Sequence, residues 1–239
     1  MIWCLHGAVG QSSDWADFSQ RLAEKGQACR AVELWRFLEC EGIGLAEWAA
    51  VFNAEVKAAG AEKNILVGYS MGGRLALHAL LDSPELWEKT VIVSAHPGLM
   101  NDADKLERMA SDAEWAGLAL TSDWSQFLQK WDAQGVLQSD ETTSPDPRMK
   151  LVNRRRAIAR SFMEWSLGKQ ADLRVGLSKL DCSALWLTGG KDEKFSRLAS
   201  EFIDAQSGFE HQIFAESGHR LPWEAKEEFY QVVNSWIEG

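Results

Sequence analysis

Asn64-Ile65-Leu66-Val67-Gly68-Tyr69-Ser70-Met71-Gly72-Gly73-Arg74 is the stretch on which the fold turns. Residues 64–68 are a short apolar run of the kind that forms a fully buried strand. Residues 70–81 carry apolar side chains at helical spacing, up to a break before Pro84. Between the two lies G-x-S-x-G, formed by Gly68, Ser70 and Gly72. With a strand before it and a helix after it, this motif predicts a nucleophile elbow. Glycines on both sides permit a tight turn that holds the serine in a strained conformation with its hydroxyl presented outward. The bland alternative is a serine that caps the helix, flanked by glycines that serve packing alone.

Strands and helices alternate on either side of this turn. Residues 2–5 read as a strand ending at His6-Gly7, 12–25 as a helix capped by Ser12 or Ser13, and 28–34 as a strand. Residues 45–59 read as a helix broken by Gly60, and 90–94 as another buried strand. From about 98 to 177 there is no clear buried strand. That segment is helical, charged and rich in tryptophan, with a polar break at 139–147. Strands resume at 182–188 and 211–214, separated by a helix at 194–205, and a helix over 223–237 closes the chain. The pattern predicts an α/β fold: a mostly parallel sheet of about six strands, covered on both faces. Residues 1–97 and 178–239 would form its core and 98–177 an inserted helical lid.

Composition narrows the function. The chain has 239 residues, 25 Lys+Arg against 35 Asp+Glu and a formal charge of −10, so no nucleic-acid partner is expected. No apolar run is long enough to span a membrane, and the N-terminal residues lack the charge and length of a secretory signal. The cytoplasm is the expected compartment. The four cysteines, at 4, 29, 40 and 182, form no CxxC pair, so no metal site is expected. Cys4, Cys29 and Cys182 lie in or beside strand-like runs and read as buried free thiols.

A serine nucleophile or base needs a histidine, and the histidine an orienting acid. Of five histidines, His219 in Glu216-Ser217-Gly218-His219 follows the last strand, on the side where open α/β sheets place their sites. His211 stands at the wrong end of that strand. His78 is a packed or surface residue of the elbow helix, and His6 orders the first loop. His96 either lines the cleft or belongs to a plain turn. The acid is expected after the penultimate strand, in Thr188-Gly189-Gly190-Lys191-Asp192-Glu193, with Asp192 preferred and Glu193 the fallback. Two backbone N–H groups would form an oxyanion hole, those of Met71 and Ala8.

With Ser70, Asp192 and His219 in that chain order, the sequence resembles the α/β-hydrolase superfamily over its whole length. The strand bearing the His6-Gly7 loop starts at residue 2, so the first two strands of the usual fold would be missing. A narrower resemblance rests on Val91-Ile92-Val93-Ser94-Ala95-His96-Pro97-Gly98-Leu99, Glu107-Arg108, Trp115-Ala116, Ser122-Asp123-Trp124, Arg155 and the Gly72-Gly73-Arg74 elbow. These look like the 2-succinyl-6-hydroxy-2,4-cyclohexadiene-1-carboxylate (SHCHC) synthase family of menaquinone biosynthesis. The resemblance implies a lyase in which Ser70, backed by His219 and Asp192, abstracts a proton and drives 2,5-elimination of pyruvate without an acyl-enzyme. It implies a small anionic substrate, no cofactor, and substrate contacts from Tyr69, Arg74, Arg108, Trp124 and Arg155. The sequence identifies no partner protein. Ala110 stands where the family usually has a basic residue, and Arg220-Leu221-Pro222-Trp223 departs from the usual polar run.

The arginines also read without the family. Residues 148–174 carry eight basic side chains against two acidic ones. On a helical wheel, Leu151, Ile158, Phe162 and Trp165 form one stripe, and Arg155 falls about 40° from it. A buried-face arginine needs a partner, either a protein acid or an anionic ligand. Arg74 has a surface position in the elbow helix as its bland alternative. Three functions remain open on the residues alone: the lyase, a serine hydrolase of small esters or thioesters, and a non-catalytic binding protein.

Overall fold

The computed structural model describes residues 1–137, 146–203 and 208–239. Six strands form one sheet: β1 (Ile2–Leu5), β2 (Cys29–Val32), β3 (Ile65–Tyr69), β4 (Lys89–Val93), β5 (Ser183–Gly189) and β6 (Phe209–Phe214). Their order is β2-β1-β3-β4-β5-β6, and every neighbouring pair is parallel. The four inner strands are almost wholly buried because both faces are covered, whereas the edge strands β2 and β6 carry polar residues such as Arg30 and Glu210. Alternate residues go to opposite faces. Trp3, Leu5, Leu66, Ile92 and Trp186 pack into one apolar cluster, and Ile2, Cys4, Val67, Val91 and Leu187 into the other.

Helices α1 (Ala16–Glu24) and α10 (Lys226–Glu238) cover the second face through Phe18, Leu22, Phe229 and Val233. Helices α2 (Leu45–Ala58), α3 (Met71–Asp82) and α8 (Glu193–Ile203) cover the first through Trp48, Phe52, Leu75 and Phe202. Parallel strands bring all their C-terminal ends to one edge. The loops carrying Gly7, Ser70, Asp192 and His219 therefore meet there.

Between β4 and β5 the described chain is helical: α4 (Asp102–Thr121), α5 (Trp124–Asp132), α6 (Arg155–Glu164) and α7 (Arg174–Leu177), with 3₁₀ turns at Gly135–Leu137 and Pro147–Arg154. These helices share the first apolar cluster. Trp165 meets Trp48 edge-on at 6.2 Å and donates from Nε1 to the Ile43 carbonyl at 3.0 Å. Arg160, which points off the apolar stripe, donates to the carbonyls of Leu38 and Glu39, at 2.7 Å each.

Several local expectations change. The helix expected at 12–25 opens as a 3₁₀ turn, Ser12–Trp15, capped by Gln11 rather than a serine. Ser12 instead donates to Glu33. A 3₁₀ segment at Leu34–Leu38 follows β2, which ends two residues early. The closing helix is two: α9 (Leu221–Glu224) and α10, separated by Ala225 in a non-helical conformation. Most of the polar break at 139–147 lies outside the described residues, as does the end of the helix expected at 194–205. Cys4 is buried, but Cys29 and Cys182 are only half-buried, and Cys40 is exposed. No described helix is long and apolar enough to cross a membrane.

Candidate active site

Ser70 is one of three described non-glycine residues with positive φ, at φ 52° and ψ −112°. Such a conformation costs an ordinary residue about 1–3 kcal/mol and persists only when neighbours enforce it. Here the Ser70 amide donates to the Val93 carbonyl at 2.8 Å, which extends the β3–β4 ladder into the turn. The glycines serve approach rather than positive φ. A Cβ on Gly68 would stand 2.6 Å from the Gly72 carbonyl oxygen, and one on Gly72 2.5 Å from the carbonyl oxygens of both Leu5 and His6. The elbow is thus pressed against the end of β1, and Gly7 leaves room for the Tyr69 ring.

His219 reaches this serine. Its Nε2 lies 3.1 Å from Ser70 Oγ, and its Nδ1 lies 2.6 Å from Asp192 Oδ2. Both His219 and Asp192 are buried, while Ser70 is half-buried. The turn after β5 delivers Asp192: its amide donates to the Gly189 carbonyl at 3.1 Å. Glu193, the fallback acid, opens α8 with its side chain exposed. The Phe195 ring meets the imidazole at 4.6 Å and fixes its tilt.

The other histidines lie away from Ser70, and the buried Nε2 of His78 has no hydrogen-bond partner among the described residues. His6 is buried, its Nδ1 2.9 Å from the Gly7 carbonyl oxygen and its Nε2 3.1 Å from the Leu34 amide and 3.3 Å from Glu33 Oε1. His96 Nδ1 accepts from the Gly98 amide at 3.0 Å. Burial, then the charge of Arg174, pushes His96 down to about 3, and burial followed by Arg74 pushes His78 down to about 4. Both are neutral at physiological pH. His211 lies 2.7 Å from Thr188 Oγ1 on β5.

A cleft of about 930 Å³ opens over the imidazole, lined among others by Gly7, Ala8, Tyr69, Asp192 and His219. Met71 opens α3, so its amide has no carbonyl one turn earlier to serve. Ala8 contributes to the same cleft wall. Tyr69 ends β3 with its ring 4.7 Å from Trp223 and 5.6 Å from His219. Burial pushes its phenol well up against the opposing Arg220 charge, so it remains a neutral donor.

The remaining residues expected at the substrate stand off the cleft wall, with donors on protein acceptors. Arg74 is buried, not a surface arginine. It donates to Gln170 Oε1 at 3.0 Å and to the Trp165 carbonyl at 2.6 Å. Burial and the Arg108 charge push it down to about 9, still cationic at neutral pH. Arg108 pairs with Asp112 at 2.9 Å, one helical turn away. Trp124 stacks on Phe127 at 4.7 Å and donates to the Arg148 carbonyl at 3.0 Å. Arg155 makes no salt bridge within 4 Å among the described residues, although its charge is felt at Asp123. It donates to the carbonyls of Ala119 at 2.8 Å and Ser122 at 2.6 Å, at the end of α4.

The cationic side chains on the cleft wall are others: Arg148, Lys191, Arg220 and Lys226. Sequence reasoning passed over them. Arg220 was legible only as the neighbour of His219, and Arg148 only as one member of a basic run. Among the described residues no group of three His, Cys, Asp or Glu side chains is placed to hold a metal.

The alpha/beta hydrolase family model matches residues 4–232. A 2-succinyl-6-hydroxy-2,4-cyclohexadiene-1-carboxylate synthase from Pectobacterium atrosepticum is 30% identical over 208 residues, spanning 83% of this chain and 80% of its own. The structure of MenH from S. aureus covers 99% of this chain and 92% of its own with a TM-score of 0.88 at 19% identity. An esterase from Exiguobacterium antarcticum covers 100% and 91% with a TM-score of 0.81 at 21% identity. A match from residue 4 to 232, on a parallel sheet that presents Ser70 at its elbow, places this chain in the alpha/beta hydrolase family.

Proposed function

We propose that the chain is an SHCHC synthase, a lyase that eliminates pyruvate from an anionic cyclohexene carboxylate in menaquinone biosynthesis. The observation that carries the reading is the 30% identity to the Pectobacterium synthase over four-fifths of both chains. Supporting it is a serine–histidine–aspartate geometry able to move a proton without forming an acyl-enzyme.

In this reading His219 Nε2 takes the Ser70 hydroxyl proton, and Asp192 stabilises the imidazolium through Nδ1. The Ser70 oxygen then removes a proton from the ring carbon. The freed electron pair shifts through the ring and breaks the ring carbon–oxygen bond to the enolpyruvyl group. That group leaves as the enolate, takes the proton held by the His219 imidazolium and tautomerises to pyruvate. Negative charge developing on a substrate oxygen is met by the Ala8 and Met71 amides and by the neutral Tyr69 phenol, all fixed before the reaction starts. No cofactor takes part. Arg74, Arg108, Trp124 and Arg155 would contact substrate only by exchanging or sharing their present partners. Residues 98–177 would act as the lid of the 1–97 and 178–239 core, since Trp131, Asp132 and Leu137 stand on the cleft wall. The reading places the protein in the cytoplasm.

The test is to give purified protein the pyruvyl-bearing intermediate and follow pyruvate through NADH oxidation by lactate dehydrogenase. Turnover lost in Ser70→Ala supports the lyase. No pyruvate release, together with hydrolysis of small esters, would assign the same three residues to a serine hydrolase.

A further inference from the structure

Asp132, the last residue of α5, reaches across the cleft mouth to the residue that follows His219. Arg220 Nη2 donates to Asp132 Oδ1 at 2.5 Å. The same carboxylate accepts from Arg148 Nη1 at 2.9 Å and Nη2 at 2.5 Å, and Arg148 is also held by Asp146, at 2.6 Å from Nη2. Two arginines and two aspartates thus form a neutral cluster on the cleft wall. The arginines are not equivalent within it. Arg148 is gripped by two carboxylates, whereas Arg220 has a half share in one. Among the described residues nothing else accepts from Arg220. Its side chain is 24% exposed and that of Asp132 34%.

We propose that Arg220 is a carboxylate-binding residue of the cleft and that Asp132 holds its place until an anionic ligand arrives. The inference rests on the anionic substrate of the proposed function but concerns a different arginine from those the resemblance implies. Exchange is easy here for three reasons. A partly exposed ion pair is weak, because water competes for both ends. Asp132 keeps Arg148 when it lets go of Arg220, so no buried charge is stranded. An incoming carboxylate can take a two-pronged grip on the planar guanidinium, which Asp132, bound through one oxygen to one nitrogen, does not. The site also lies beside the chemistry, since Arg220 adjoins His219 in the chain and its charge is felt at the Tyr69 phenol. Asp132 is thus an internal competitor, and its removal should strengthen anion binding rather than weaken it.

Succinate serves as the probe, its binding to the full chain read by quenching of the cleft tryptophans Trp131 and Trp223. Asp132→Asn should tighten succinate binding about three- to fivefold, the competition of one exposed ion pair. Arg220→Gln should weaken it about tenfold, the loss of a charge-assisted carboxylate contact. In the double variant the Asp132→Asn gain should vanish. That last comparison separates a local competitor from a general rise in positive charge, which would tighten binding in either background. Unchanged or weaker binding in Asp132→Asn, or a gain that survives without Arg220, overturns the proposal. A thermal melt of each variant confirms that folded protein is compared. Because binding is read without turnover, failure of pyruvate release would count against the lyase and leave this result intact. The converse also holds.

Discussion

Replacing Arg155 with alanine separates two roles for one side chain. The guanidinium sits on the Ala119 and Ser122 carbonyls and 5.8 Å from the Trp124 ring. Helix α4 ends at Thr121, so both carbonyls belong to its unsatisfied terminus, where a cation is favoured. Two charge-assisted bonds, discounted because the residue is half-buried and water can replace part of them, contribute about 1–3 kcal/mol. The helix-end charge and the ring contact add about 1 kcal/mol. A total of about 2–4 kcal/mol in a chain of this size lowers Tm by about 5–12 °C. Lysine at this position keeps the charge but loses the fork, and should recover about half of the loss. The assay is a thermal melt followed by tryptophan fluorescence, run beside kcat/KM for pyruvate release. If Tm moves by less than about 1 °C while kcat/KM falls tenfold or more, the reasoning is refuted. Arg155 then binds substrate, as the resemblance implies, and the helix end manages without it.

Three further outcomes are expected. Ser70→Ala and His219→Ala should each reduce kcat by about 10³-fold or more, and the double variant should be no worse, because the pair moves one proton; losses that multiply would break the pairing. Gly72→Ala should leave little soluble protein, since its Cβ would meet two carbonyl oxygens at 2.5 Å; near-normal expression and melting would contradict that packing. Finally, unfolded histidine binds a proton near pH 6.5, but folded His78 does so only near 4 and His96 near 3. Unfolding therefore takes up protons below pH 6.5. Stability should be full above that pH and fall by up to about 1.4 kcal/mol per unit for each histidine down to about pH 4. Urea midpoints that stay level from pH 7 to 5 would rule this out.

The elbow could be read from sequence because strand, turn and helix are local. Gly68, Ser70 and Gly72 specify the turn, and apolar runs on both sides specify what it joins. The order of Ser70, Asp192 and His219 could be read because parallel strands send every such loop to one edge. What a helical face meets could not. The wheel placed Arg155 near a buried stripe, but a wheel describes one helix and not the end of another that packs against it. Arg74 was expected at the substrate, with a surface position as the bland alternative, and nothing local reveals the Trp165 carbonyl and Gln170 that hold it. The Leu34–Leu38 turn escaped because five residues of 3₁₀ helix carry no 3.6-residue period.

The helices between β4 and β5 are fastened unevenly. The α6 end is anchored by the Trp165 indole under α2, by Arg160 on the Leu38 and Glu39 carbonyls, and by Arg74 from the elbow helix itself. The α5 end meets the loop after β6 through Asp132 and Arg220. Arg74 lies one turn beyond Ser70, so displacing α6 would disturb the serine that the cleft serves. The α5 end is instead tied to the core by a partly exposed ion pair. Dissolved salt weakens a partly exposed ion pair more than a bond to a neutral carbonyl, so it acts on the α5 end before the α6 end.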